Sequence, residues 1–143
     1  MSEENKALVE RFVGEAFNKE NLNIADEVYA PRFFSHGTPE GESDLEYVKH
    51  FVNMYRVAFP NGHAIIEDMI TEGDEVAYRW TYRGIHKGEL MGIPSTGKEV
   101  TITGITINRF ADGKIVEEWN NFDQLGMMQQ LGVVPAPGQA YYG

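Results

Sequence analysis

The sequence predicts an α+β fold in which a strongly curved, cone-shaped antiparallel sheet packs against three N-terminal helices, with a short helix at the C-terminus. Three observations carry this reading. Apolar residues recur at helical spacing before Pro60, the period changes to two from His63 onward, and turn residues divide the later part into two hairpins. Helices followed by antiparallel strands place the helices on one face of one sheet.

The first helix is marked by Leu8, Val9, Phe12, Val13, Ala16 and Phe17, with Ser2 as a start signal and Asn18 as a stop. A shorter helix is expected over about Ile24 to Tyr29, closed by Pro31. The third opens on Ser43-Asp44-Leu45-Glu46, a capping-box pattern, and its stripe is Leu45, Val48, Val52, Tyr55 and Phe59. Pro60-Asn61-Gly62 ends it.

Strands are expected over Ala64 to Thr71 and Glu75 to Ile85, joined by Glu72-Gly73-Asp74. Val100 to Phe110 and Lys114 to Phe122 form the second hairpin around Asp112-Gly113. Between the hairpins, His86 to Lys98 reads as a long loop over the edge of the sheet. Gln124 to Leu131 reads as the last helix, ended by Gly132. Gly84 and Gly104 inside long strands permit sharp bending. A bent sheet closed by helices leaves a cone with a mouth, which is the reason to expect a pocket. No repeat or linker interrupts the 143 residues, so a single domain is expected, with its core at about 3–132 and a loose tail over 133–143.

Composition removes several classes of function. Cysteine is absent, which excludes disulfides, thiolate metal sites and thiol nucleophiles. Acidic residues outnumber basic ones 22 to 12, for a formal charge of −10, so nucleic acid and anionic membrane are poor partners. No apolar run reaches the ~20 residues of a membrane span. The start, Met1-Ser2-Glu3-Glu4-Asn5, is acidic where a secretory signal is basic, and a cytoplasmic location is expected. The four histidines have no regular spacing and form no HxH or HExxH, so no metal is expected. His50, His63 and His86 read as exposed residues of helix, turn and loop, and no serine sits in a G-x-S-x-G elbow.

Several runs carry a resemblance when taken in order: Gly84-Ile85-His86-Lys87-Gly88-Glu89, Gly92-Ile93-Pro94-Ser95-Thr96-Gly97-Lys98 and Gly104-Ile105-Thr106-Ile107-Asn108-Arg109-Phe110. Asp112-Gly113-Lys114-Ile115-Val116-Glu117-Glu118-Trp119, Asp123 and Gln130-Leu131-Gly132 follow. Together they resemble the SnoaL-like polyketide cyclases, or ester cyclases, of the nuclear transport factor 2-like superfamily, from the first helix to Gly132. The resemblance implies ring closure by intramolecular aldol condensation, with an acid/base Asp matching Asp123, a pocket histidine matching His36, and no cofactor. It also implies pairing of two copies through the outer face of the sheet. The superfamily includes isomerases, epoxide hydrolases, dehydratases and plain binding modules, so the fold does not set the reaction.

Each candidate has two readings. Asp123 is either the base, its carboxylate made more basic by an apolar enclosure, or the N-cap of the last helix. His36 either polarises a carbonyl and shuttles a proton or is held by local backbone. Trp80 and Trp119 are either aromatic walls for a flat ligand or core tryptophans. Tyr55 and Phe59 are expected to line the same pocket. By alternation Trp119, Asn121 and Asp123 share a face, so Asn121 would orient the ligand if Asp123 points inward. Asn108 depends on register. A two-residue turn puts it on the face of Trp119, whereas a longer loop with a bulge puts Ile107 and Arg109 there. Of Glu117 and Glu118, one faces in and the other out, the outward one available to Arg79, Arg83 or Arg109 on a solvated or dimer-facing surface, and these charges read as structural.

The function these readings favour is a cofactor-independent acid/base cyclase, isomerase or lyase acting on a small hydrophobic or aromatic carbonyl compound. The alternative is a non-catalytic binding module on the same fold, favoured if Asp123 turns outward onto Gly126. Epoxide hydrolysis would need an Asp–Arg pair in the pocket that the sequence does not place. A homodimer is expected, because outward apolar residues such as Ile105 or Ile107 are more stable covered than wet.

Overall fold

Val9, Phe12, Val13 and Ala16 are buried along one face of the first helical segment. α1 (Ser2–Phe12) runs into a π-helical turn, Val13–Asn18. Such a turn is uncommon and often sits at a functional site, because it re-aims the side chains that follow it. Asn18 then ties the end of the helix to the sheet. Its amide donates to the Ala64 carbonyl at 3.0 Å and accepts from the Ala64 N–H at 2.7 Å. The computed structural model describes residues 2–36 and 41–135. The expected loose tail lies mostly outside these residues.

α2 (Ile24–Val28) stops one residue earlier than expected, and β1 (Tyr29–Ser35) begins at once, with Pro31 inside it. β2 (Glu42–Asp44) leads directly into α3 (Leu45–Ala58). The cap of α3 is Asp44, whose carboxylate accepts from the Tyr47 N–H at 2.9 Å. Ser43, expected in that role, is buried in β2 instead. The capping residue sits one position later because the strand pairing of β2 holds Ser43 extended up to the helix start.

β3 (His63–Glu72), β4 (Glu75–Ile85), β5 (Glu99–Ala111) and β6 (Lys114–Phe122) form two long hairpins. The six-stranded sheet has the order β2-β1-β6-β5-β4-β3. Every pairing is antiparallel except β1 with β6, so the sheet is mixed rather than wholly antiparallel. The hairpin turns force neighbours in sequence to run antiparallel. β1 reaches β6 only after α3 and four strands, and a crossover of that length allows parallel pairing. The sheet carries single-residue bulges at Glu67 in β3 and Val116 in β6, where strands bend and twist more strongly.

The loop between the hairpins is strapped down rather than draped. The N–H groups of Lys87 and Gly88 both donate to the Ala58 carbonyl, at 3.0 and 3.1 Å, satisfying an acceptor that the end of α3 leaves unpaired. His86 is therefore fully buried, against the expectation of an exposed loop residue. Its Nδ1 accepts from the Thr96 N–H at 3.2 Å. His50 and His63 are exposed as expected. α4 (Gln124–Leu131) ends at Gly132, whose φ of 85° supplies the left-handed C-cap. No helix among the described residues is long and apolar enough to cross a membrane.

Candidate active site

The inner face of the sheet is built from three rows that cross the strands. The first runs Val76, Asn108, Glu118 and Ser35; the second Tyr78, Thr106 and Asn120; the third Trp80, Gly104 and Phe122. Phe12, Val13 and Phe17 from the first helical segment and Val48, Phe51, Val52 and Tyr55 from α3 stand opposite. Between them lies a cavity of about 170 Å³. Alternation along β4 puts Val76, Tyr78, Trp80 and Tyr82 inward, as the sequence indicates.

The polar groups of this wall come from β5 and β6. Among the described residues, Glu118 is the one acidic residue that lines the cavity, and no Lys, Arg or His side chain lines it. The Tyr29 hydroxyl donates to Glu118 Oε2 at 2.6 Å, and Asn108 Nδ2 donates to the same oxygen at 2.7 Å. Both fall on Oε2, which leaves Oε1 without a donor among the described residues. Burial pushes the Glu118 carboxyl above the ordinary carboxylate range, and these two hydrogen bonds, which favour the ionised form, only partly oppose it. Burial, with the charge of Glu118 adding to it, holds the Tyr29 hydroxyl well above its usual value, so the phenol stays a donor. Burial likewise raises Tyr55 to about 12.

A second polar chain lies one row along. Trp80 Nε1 donates to Thr106 Oγ1 at 3.0 Å, and Thr106 Oγ1 donates to Asn120 Oδ1 at 2.9 Å. Glu118 and Asn120 are two residues apart on one face of one strand, so a single small ligand can meet both.

The expected site residues divide between the two faces of the sheet. Trp80 and Tyr55 line the cavity. Phe59 is fully buried behind it, stacked with Tyr55 at a centroid distance of 6.4 Å. Asn108 is buried in the first row, where it holds Glu118. Trp119 and Asn121 belong to the outer face, against the expected parity. The Asp112-Gly113 turn is the two-residue type, with φ of 54° and 76°, and pairs Phe110 with Ile115. The bulge at Val116 then inserts one residue, so Asn108 pairs with Glu118 and Ile107 with Trp119. Every later side chain of β6 is thereby moved to the opposite face.

Asp123 follows that inversion. Its side chain is exposed, lies outside the cavity lining and accepts from the Gly126 N–H at 2.8 Å, capping α4. His36 is on the outer side as well. Its ring stacks on Trp119 at 4.6 Å with an interplanar angle of 4°, and its Nε2 lies 2.7 Å from Glu117 Oε2. Glu117 also accepts from Arg109 Nε at 2.8 Å, and these two partners hold its carboxyl below the ordinary range. Asn120, Thr106 and Tyr29 are among the pocket residues that reading the sequence does not single out, and Glu118, expected as a structural charge, lines the cavity. The one signal available was the Glu117-Glu118 pair, of which one member had to face inward. Among the described residues no three His, Cys, Asp or Glu side chains converge as a metal site.

Comparison with known proteins agrees with this architecture. The family model described as SnoaL-like polyketide cyclase matches residues 7–131. The aklanonic acid methyl ester cyclase DauD of Streptomyces sp. (strain C5) is 31% identical over 130 residues, covering 87% of this chain and 80% of its own. The aklanonic acid methyl ester cyclase DnrD of Streptomyces peucetius is also 31% identical over 130 residues, covering 87% of this chain and 88% of its own. The crystal structure of wild-type IdmH from Streptomyces antibioticus superposes with a TM-score of 0.77 at 32% identity, covering 90% of this chain and 98% of that one. A match that runs from α1 to the end of α4 takes in every element that builds the cavity, and this chain belongs to the SnoaL-like polyketide cyclase family.

Proposed function

We propose that the protein is a cofactor-independent acid/base enzyme that closes a ring in a hydrophobic carbonyl compound, with Glu118 as the group that moves the proton. The observation that carries this is a carboxylate lining an otherwise apolar cavity, held by Tyr29 and Asn108 and raised by burial. A base with a raised pKa is a stronger base once ionised. Oε1 takes a proton from the carbon beside one carbonyl, giving an enolate. The enolate carbon attacks a second carbonyl of the same molecule, and the new carbon–carbon bond leaves an alkoxide. That alkoxide takes the proton back from Glu118, so the protein ends as it began and no electron leaves the substrate. Asp123, capping α4 on the other side of the bulge, is replaced in this role by Glu118.

The size of the cavity bears on the substrate. A dry cavity of about 150 Å³ accepts one benzene ring, and this one is about 170 Å³. The reacting end of a polycyclic substrate is therefore enclosed, and the rest extends through the mouth. Aklanonic acid methyl ester, the compound in the names of the two relatives, is the first to test. Conversion to a cyclised isomer by the parent chain, lost in Glu118→Gln by about 10²-fold or more, supports the reading. Full turnover by Glu118→Gln refutes it.

A binding module on the same fold is the second reading, and the outward turn of Asp123 favours it. Its outcome is equal ligand binding by parent and Glu118→Gln with turnover by neither. A homodimer through the outer face of the sheet belongs to the proposal too. Ile105 and Ile70 are 53% and 67% exposed there, with Ile107 and Trp119 between β5 and β6.

A further inference from the structure

We propose that Trp80 and Thr106 act as positioning residues that set the direction of a hydrogen-bond chain, so that Asn120 presents its NH2 group to an oxygen of the ligand. The site then binds a carbonyl oxygen at Asn120 and holds the negative charge that develops on it.

The argument begins at Trp80. An indole N–H can only donate, and it has no second role to switch to. It lies 3.0 Å from Thr106 Oγ1 and occupies one of the acceptor positions of that hydroxyl. Thr106 is buried on the inner face, and its own proton is directed to Asn120 Oδ1 at 2.9 Å. A carboxamide that accepts at Oδ1 has both of its donors left on Nδ2. Asn120 lines the cavity, and Nδ2 has no acceptor among the described residues. The indole N–H fills one of the two lone pairs of Thr106 Oγ1, and with the Thr106 proton on Asn120 Oδ1 the chain ends in two N–H groups at the cavity.

This matters beside Glu118. Tyr29 has its one proton on Oε2, and Asn108, whose Nδ2 keeps a second N–H, does not line the cavity. Neither therefore holds charge on the substrate. Asn120, two residues away on the same face, supplies the missing donor, and it is held in place before the ligand arrives. A fixed donor aimed at a developing oxyanion in a water-poor site is among the larger contributions to catalysis. Removing one such donor costs on the order of 10²–10³ in rate. The proposal rests on the acid/base reading for the reaction it serves, but the binding of a carbonyl oxygen stands without it.

The test uses 1-indanone labelled with carbon-13 at its carbonyl, an enolisable aromatic ketone small enough for the cavity. Two signals are read from the same probe in the full chain. The infrared C=O stretch of the bound ketone reports hydrogen bonding to its oxygen, and deuterium exchange at its C2 position reports proton removal. The parent, Glu118→Gln and Thr106→Ser are expected to shift the stretch to lower frequency. Asn120→Asp keeps an acceptor for Thr106 but has no NH2, and is expected to lose the shift. Thr106→Val and Trp80→Phe break the chain and are expected to weaken it. An unchanged shift in Asn120→Asp, or in both Thr106→Val and Trp80→Phe, overturns the proposal, as does a parent chain that binds the ketone with no shift or does not bind it. Exchange at C2 is expected to fall about 10²-fold or more in Glu118→Gln. Its absence from the parent with the C=O shift intact refutes Glu118 as base and leaves Asn120 as donor.

Discussion

The indole of Trp80 occupies the space that a side chain at Gly104 would need. The two residues face each other across β4 and β5, and a Cβ built on Gly104 would lie 2.4 Å from Trp80 Cζ2. That vacancy lets the ring lie flat over the sheet and bring Nε1 to Thr106. Gly104→Ala is expected to push the ring away, at a cost of about 1–3 kcal/mol from overpacking. Chemical denaturation measures the cost, and a change in tryptophan fluorescence checks that Trp80 has moved. Unaltered stability and fluorescence would show that the ring is not confined by this glycine.

Glu118 makes a prediction about stability against pH. Its folded-state pKa is raised above the ordinary 4.5, chiefly by burial. A raised carboxyl pKa means that the folded state holds the proton more tightly than the unfolded chain does. The stability linked to that proton is fully present below pH 4.5 and is lost as pH rises through the folded value. Glu118→Gln keeps the shape without the charge, so its Tm is expected to exceed the parent's at pH 7 and to converge with it near pH 4. A variant less stable than the parent at pH 7 would contradict the direction of the shift.

Asp123 separates capping from chemistry. Asp123→Ala is expected to cost about 0.5–2 kcal/mol, because the Gly126 N–H loses its acceptor. Asp123→Asn, itself a good cap, is expected to cost little and to leave turnover at the parent's level. Urea melts measure the first, and activity on any compound the parent converts measures the second. Loss of activity in a fully folded Asp123→Asn would return the acid/base role to that residue.

The outer face of the sheet predicts the assembly. Light scattering at micromolar concentration is expected to give twice the chain mass of 16.2 kDa. Ile105→Asp puts a charge into the centre of that face, and is expected to yield a folded monomer, since burying an unpaired carboxylate in an interface is strongly unfavourable. A parent that elutes and scatters as a monomer rules the dimer out.

Read by itself, the sequence determined the helices and the four strands of the two long hairpins, the faces of β4, the position of the last hairpin turn and both ends of α4, while the bounds of β1, the short β2 and the π-helical turn came only with the structure. Each feature read from the sequence rests on local chemistry. Apolar spacing set the helices, Asp112-Gly113 adopts positive φ at both positions, and Gly132 ends a helix without strain. Only the tertiary structure decided which face of β6 meets the cavity. Counting inward from Ile115 gives Glu117, Trp119 and Asn121, while counting after a bulge gives Glu118, Asn120 and Phe122. The two sets are nearly alike, one glutamate, one asparagine and one aromatic each, so hydrophobic pattern could not choose between them. The bulge at Val116 chose, and a bulge is set by how β6 fits between β1 and β5 rather than by the residues of β6 alone. The parallel pairing of β1 and the burial of His86 have the same origin, in contacts between segments that are far apart in the chain.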